Sequence, residues 1–138
     1  MRFVLDTNEF VAALGVTDNP PSEVLVNTLL ESYPTNTIHI PRTVINEVRR
    51  NVHTRIFGEF IRIVQPTAQI DEDILIPFEL GMKYESLGLK PADAFIAAYA
   101  EWVGANVLVS ENRHFLTRRP DLPFKVLTAE TCLKTIFK

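Results

Sequence analysis

Phe3-Val4-Leu5-Asp6-Thr7-Asn8 is the stretch on which the fold turns. A short apolar run reads as a buried strand, and three turn-forming polar residues end it. The stretch therefore delivers a carboxylate, Asp6, to the end of a strand. Two more carboxylates stand at comparable joints. Glu47 lies inside the helical segment Pro41–Val52, and Asp93 occupies the first turn of the helix that follows Pro91. In an open parallel sheet, ligands collect where strands end and helices begin. Carboxylates gathered there from distant parts of a chain form a site for a hard divalent cation.

Outward from this stretch, strands and helices alternate. Arg2–Leu5 is a strand, and Phe10–Leu14 is a short helical piece that stops near Gly15. The breaker segment Asp18–Ser22 leads into a helix with apolar positions Val24, Leu25, Leu29 and Leu30. Thr37–Ile40 resembles a second strand, and Pro41 suits the first turn of the next helix because its missing N–H has no partner there anyway. Thr54–Val64 reads either as a continuing helix or as a helix giving way to an extended Ile61–Val64. A polar loop after Pro66 leads to a helix around Ile74–Leu87, with Pro77 in its first turn and Gly88 at its C-terminal cap. Pro91–Val103 is the clearest helix, its stripe formed by Phe95, Ile96, Tyr99, Trp102 and Val103. Asn106–Val109 and Lys125–Leu127 are strands, and Ala129–Phe137 is a closing amphipathic helix. The alternation predicts an α/β fold whose parallel sheet is covered on both faces. At 138 residues, with no repeat or linker, the chain is expected to form one domain, 1–138.

Bulk properties exclude several classes. The 46% hydrophobic and 22% charged content is that of an ordinary globular protein, not a disordered one. No apolar stretch approaches the roughly 20 residues needed to span a bilayer. The N-terminus enters a strand without the pattern of a signal peptide, so a cytoplasmic protein is expected. A single cysteine, Cys132, excludes an intramolecular disulfide framework and a cysteine-based zinc cluster, and its place in a helical pattern makes it a buried structural thiol. The net charge of −3 gives no global attraction to nucleic acid. Basic residues nevertheless cluster, with Arg42, Arg49, Arg50, Arg55 and Arg62 in one stretch and Arg113, Arg118, Arg119 and Lys125 in another. Asp71, Glu72 and Asp73 concentrate acid elsewhere. Such runs read most often as solvated surface, and they remain compatible with a local phosphate-binding rim around an acidic centre.

Each carboxylate also has a plain structural reading. Asp6 can serve as a turn residue or helix cap. Glu47 falls at the edge of the face made by Val44, Ile45, Val48 and Val52, where a surface glutamate could pair with Arg50, or Arg50 could contact a substrate phosphate. Asp93 can favour a helix N-terminus. Its neighbours, Pro91-Ala92-Asp93-Ala94-Phe95-Ile96-Ala97-Ala98, imply a closely packed helix whose first turn is buried, and a buried lone carboxylate needs a cation or several donors. One metal site accounts for all three residues together.

These residues resemble the PIN-domain family in its toxin-type, VapC-like ribonuclease form. The resemblance runs over nearly the whole chain. It rests on Phe3–Asn8, on Glu47 in the helix after the second strand, on Leu87-Gly88-Leu89-Lys90-Pro91-Ala92-Asp93-Ala94-Phe95-Ile96-Ala97-Ala98, and on Val107-Leu108-Val109-Ser110-Glu111-Asn112-Arg113-His114-Phe115. It implies a three-layer α/β/α sandwich with a central five-stranded parallel sheet and an acidic site at the strand ends. It further implies Mg²⁺- or Mn²⁺-dependent cleavage of RNA phosphodiester bonds, with the cation activating a water and steadying the departing oxygen. On this resemblance Asp6, Glu47 and Asp93 are the catalytic metal ligands, directly or through water. Thr7, Asn8 and Ser110 orient the site by hydrogen bonds, and Arg50 and Asn112 help position the substrate. A toxin role with an antitoxin partner, and a homodimer, are likewise implied by the resemblance.

Two positions depart from the family pattern. Asn112 stands where many members carry a further carboxylate, which removes one negative charge and implies a weaker second metal. The adjacent Glu111 needs a shifted backbone to substitute, and His114 reads as packing or surface unless it assists the chemistry. Glu9 stands where the family is commonly apolar, and either favours the start of the first helix or adds charge near the site. The Asn112 departure supports a second reading, a catalytically weak RNA- or protein-binding module. A nucleotide-binding or phosphotransfer domain is disfavoured, because no glycine-rich loop follows the first strand.

Overall fold

A computed structural model describes residues 1–112, 115 and 121–137. Its five-stranded parallel sheet runs in the order β3-β2-β1-β4-β5, with β1 Arg2–Leu5, β2 Thr37–Pro41, β3 Ala68–Asp71, β4 Val107–Val109 and β5 Lys125–Leu127. The helices are α1 Thr7–Ala13, α2 Pro20–Glu31, α3 Arg42–Asn51, α4 Thr54–Val64, α5 Phe78–Ser86, α6 Pro91–Trp102 and α7 Ala129–Ile136, with a 3₁₀ turn at Asp73–Leu75.

The strand order explains the layers. The chain steps from β1 through β2 to β3 in one direction, then returns across the sheet to β4 and on to β5. Crossovers between parallel strands are right-handed, so reversing direction moves the connecting helices to the opposite face. The packing agrees: α1 lies against α2 and α3, α2 against α7, and α5 against α6. Central strands covered on both sides must be apolar throughout. Phe3, Val4 and Leu5 of β1 and Val107, Leu108 and Val109 of β4 are accordingly buried.

Several element limits differ from the sequence reading, each for a local reason. The segment Ile61–Val64 is the end of α4, and the third strand is instead Ala68–Asp71, inside the stretch read as a polar loop. Pairing to β2 along Ile38↔Ala68 through Pro41↔Asp71 imposes the extended form on this polar edge strand. Pro41 is the last residue of β2, and α3 starts after it at Arg42. Pro20 and Pro21 open α2 in its first turn, so the breaker segment ends at Asn19, three residues earlier than expected. Pro77 precedes α5, and Gly88 follows it with φ +97°, its N–H donating to the Glu85 carbonyl at 3.0 Å. That left-handed residue turns the chain back toward α6.

The clearest helix also differs in its buried face. Ala94, Ile96, Ala97, Ala98, Tyr99 and Ala100 are buried, whereas Trp102 is exposed. Small side chains let α6 sit close to the sheet. Its first turn is not buried: Pro91 and Ala92 are exposed and Asp93 is half-buried. Cys132 is fully buried, and its thiol is pushed up to about 11 by desolvation and the nearby Glu9. Among the described residues no helix is long and apolar enough to cross a membrane.

Candidate metal and nucleic-acid site

β1 and β4 are neighbours from which the chain departs in opposite directions, the arrangement that opens a crevice at the carboxyl ends of parallel strands. Leu5 pairs with Val109, and the Asp6 N–H extends the ladder by donating to the Val109 carbonyl at 2.9 Å. Asp6 and Ser110 thus leave the sheet side by side. Asp6 then caps α1, its Oδ1 accepting from the Thr7 N–H at 2.8 Å. The capping reading of Asp6 is therefore right, and it leaves Oδ2 facing the crevice, where Ser110 Oγ donates to it at 3.2 Å.

A chain of hydrogen bonds runs from this pair to the other two carboxylates. Thr7, buried at the start of α1, donates from Oγ1 to Glu47 Oε1 at 3.1 Å, across the α1–α3 contact. On the other side the Asn112 N–H donates to Ser110 Oγ at 3.1 Å, and Asn112 Nδ2 donates to Asp93 Oδ2 at 3.2 Å. Glu47, Asp6 and Asp93 are thereby linked through Thr7, Ser110 and Asn112. Burial raises the Asp6 carboxyl above its ordinary range, and the charges of Asp93 and Glu47 add to that displacement, while the Thr7 and Ser110 hydrogen bonds oppose it. The Asp6 carboxylate thus feels the charge of the other two, which is the condition a bound cation relieves.

The donor set fits a hard cation held partly through water. All contributing groups are oxygen donors, as Mg²⁺ and Mn²⁺ prefer. Among the described residues no three Asp, Glu, His or Cys side chains converge tightly enough to ligate one ion directly. Retained water is the natural complement, since Mg²⁺ gives up its hydration shell reluctantly.

Other expected residues are placed differently. Asn8 is exposed and its side chain makes no hydrogen bond among the described residues, so it stands apart from the network. Arg49, Arg50, Arg55 and Arg62 are exposed. Arg50 forms no ion pair with Glu47 among the described residues, which leaves its guanidinium free for another anion. Arg42 is engaged by Glu72 at 2.8 Å and is not such a cation. Arg113, His114, Arg118 and Arg119 lie outside the described residues.

The acidic run Asp71–Asp73, read as solvated, is structural at both ends. Tyr99 Oη donates to Asp71 Oδ2 at 2.7 Å. Asp73 accepts from the Thr43 N–H at 3.0 Å and from the Thr43 hydroxyl. Glu111 does not substitute for the missing carboxylate. Its Oε2 accepts from the Ala129 N–H at 3.0 Å, at the start of α7. Glu9 is entirely buried, with Oε1 accepting from Ser22 Oγ at 2.7 Å. Burial and the adjoining Glu111 carboxyl push Glu9 up to about 8. The sequence marked Glu9 as unusual, an acidic residue directly before the apolar run Phe10-Val11-Ala12-Ala13, but not its contact with Glu111.

Solved structures share the fold. A chain of the VapBC2 complex of Rickettsia felis, solved with a DNA fragment from its promoter, gives a TM-score of 0.61 at 23% identity, covering 92% of this chain and 97% of that one. A chain of a toxin–antitoxin complex from Klebsiella pneumoniae gives 0.63 at 19%, covering 88% and 98%. VapC20 of Mycobacterium tuberculosis, a toxin that cleaves the sarcin–ricin loop, gives 0.55 at 13%, covering 87% and 92%. At such identities the likeness is one of fold. Among curated proteins no sequence matches. The PIN domain model matches residues 3–119, well over half the chain and including Asp6, Glu47 and Asp93. The chain belongs to the PIN-domain family.

Proposed function

We propose that this protein is a divalent-metal-dependent endoribonuclease that acts in the cytoplasm as the toxin of a toxin–antitoxin pair. The observation that carries the reading is the hydrogen-bonded chain joining Glu47, Asp6 and Asp93 at the β1–β4 crevice. Asp6, Glu47 and Asp93 would hold Mg²⁺ or Mn²⁺. When bound, such a cation polarises the scissile phosphate, lowers the pKa of a water and neutralises charge on the departing oxygen. The chain's own residues set the stage. Thr7 fixes the Glu47 carboxylate, Ser110 fixes Asp6, and Asn112 fixes Asp93, so the negative charges are aimed before substrate arrives. Arg50, exposed at the end of α3 beside Glu47, would steady a neighbouring RNA phosphate.

The partner call is supported by the toxin–antitoxin complexes that share this fold. Exposed Ile74, Leu75, Phe78 and Met82 beside α6 are apolar surface of the kind assemblies cover, which also supports a homodimer. A catalytically weak RNA- or protein-binding module is the second reading, favoured by Asn112 standing against Asp93 in place of another carboxylate.

Purified protein incubated with labelled structured RNAs in Mg²⁺, Mn²⁺ or EDTA tests the proposal, beside Asp6→Asn and Asp93→Asn. Cutting that requires metal and falls on the order of 10²-fold or more in both variants supports it. RNA binding without cutting by the wild type transfers the assignment to the binding module.

A further inference from the structure

The buried Glu9 is absent from the reaction outlined above, and it carries a cost that needs a reason. An apolar residue at this position of α1 would pack without desolvating a carboxyl group. Glu9 is 0% exposed, and among the described residues only one of its oxygens finds a donor, Ser22 Oγ at 2.7 Å. Asn19 Nδ2 donates to that same Ser22 hydroxyl at 2.7 Å, so Ser22 Oγ–H is committed to Glu9. The second oxygen, Oε2, is sealed from solvent and meets no N–H or O–H donor among the described residues. The Glu111 carboxyl group lies within hydrogen-bonding reach of the Glu9 carboxyl group.

Glu111 is the residue between Ser110 and Asn112. Although the residue as a whole is exposed, its Oε2 reaches in to accept from the Ala129 N–H. Its neighbours carry the contacts to Asp6 and Asp93. Two carboxyl groups in contact attract only if one proton lies between them, and burial of Glu9 supplies the acid form that makes this possible. The two acidic residues thus meet each other beneath the loop that completes the crevice.

We propose that Glu9 is a positioning residue, whose carboxyl group grips Glu111 and so holds the Ser110–Asn112 loop against the Asp6 and Asp93 carboxylates. The catalytic consequence rests on the nuclease reading; the grip itself does not. Glu9 touches no substrate and acts through Glu111. Glutamine keeps both functions, an N–H toward Glu111 and an oxygen toward Ser22, while leucine keeps the volume and loses both.

The test compares Glu9→Leu, Glu9→Gln and Glu111→Ala with wild type. Amide hydrogen exchange is read by NMR in EDTA at Asn112, Ala129 and, as a control in β1, Val4. Glu9→Leu and Glu111→Ala are expected to speed exchange at Asn112 and Ala129 by about tenfold or more while Val4 stays protected, and Glu9→Gln is expected to stay near wild type. RNA cleavage is then expected to lose about tenfold in kcat in the first two variants with KM little changed, and to recover in Glu9→Gln. Glu111→Ala alters a residue with an exposed stem, so it reports on the grip even where Glu9→Leu fails to fold. Unchanged Asn112 exchange in Glu111→Ala overturns the proposal, as does a Glu9→Gln variant as loose as Glu9→Leu. The expected exchange pattern in a protein that cuts no RNA supports the grip and removes the nuclease reading alone.

Discussion

Asn112 donates from Nδ2 to Oδ2 of Asp93 at 3.2 Å, and this hydrogen bond joins the loop after β4 to the first turn of α6. The amide does at this position what a carboxylate cannot. It approaches Asp93 as a donor, where a second carboxylate would meet it as a like charge. The crevice consequently carries one negative charge fewer, which on the proposed reading weakens its hold on a cation.

Asn112→Asp should therefore reverse that balance. Without metal the variant places like charges together, and its Tm is expected to fall by several degrees, the effect of about 1 kcal/mol in a domain of this size. With Mn²⁺ the extra charge becomes a ligand, and calorimetry is expected to show about tenfold tighter binding, worth ~1.4 kcal/mol. Equal Mn²⁺ affinity in both proteins would place residue 112 outside the cation site.

Arg50 carries a separate expectation. It is exposed, without an ion pair among the described residues, one turn beyond Glu47 on α3. If it meets one RNA phosphate, Arg50→Ala should weaken binding of a noncleaved RNA and reduce the slope of log K against log salt by about 0.7, the share of one single-strand phosphate contact. Stability should change little, because the residue is exposed. An unchanged salt slope sinks the phosphate role.

The three carboxylates that the structure links at the β1–β4 crevice could be picked out of the sequence, whereas one strand of the sheet could not. Asp6 was legible because a buried strand ending in a capping residue has a local signature. Asp93 was found by its place after Pro91, although the expectation of a buried first turn failed, since α6 packs through Ala94, Ala97 and Ala98 and leaves Pro91 and Ala92 exposed. β3 was missed because its residues, Ala68-Gln69-Ile70-Asp71, carry no strand pattern of their own. Their extended form comes from pairing with β2 and from Tyr99 on α6, which holds Asp71 from 28 residues further along the chain. The Glu9–Glu111 contact was illegible for the same reason. Nothing local brings residues so distant in sequence together; only the β1–β4 pairing does.

Tyr99→Phe tests the tertiary origin of β3. Tyr99 Oη donates to Asp71 Oδ2 at 2.7 Å, and burial with the adjoining carboxylate drives the phenol far above its usual range, so it remains a donor at any accessible pH. Removing the hydroxyl should cost about 1.5–3 kcal/mol, as for a hydrogen bond to a charged group. Denaturant unfolding measures it. A loss below about 0.5 kcal/mol would mean that pairing with β2 alone fixes Asp71.

The buried Glu9 makes stability depend on pH in a predictable sense. Its carboxyl is pushed up to about 8 in the folded chain, against an ordinary value of 4.5. Below pH 4.5 the group is protonated in folded and unfolded chains alike, and its burial imposes no ionisation penalty. Between 4.5 and 8 the unfolded chain releases a proton that the folded chain retains, so rising pH favours unfolding. The stability present at low pH is lost progressively and the loss levels off above about 8. Other groups titrate as well, so the informative quantity is the difference between wild type and Glu9→Gln, which cannot ionise at this position. Urea unfolding in EDTA at pH 5, 7 and 8.5 should show wild type losing ground to the variant at each step, by a few kcal/mol in total at ~1.4 kcal/mol per pH unit. A difference that stays flat across this range would mean that Glu9 ionises normally, leaving no proton for it to share with Glu111.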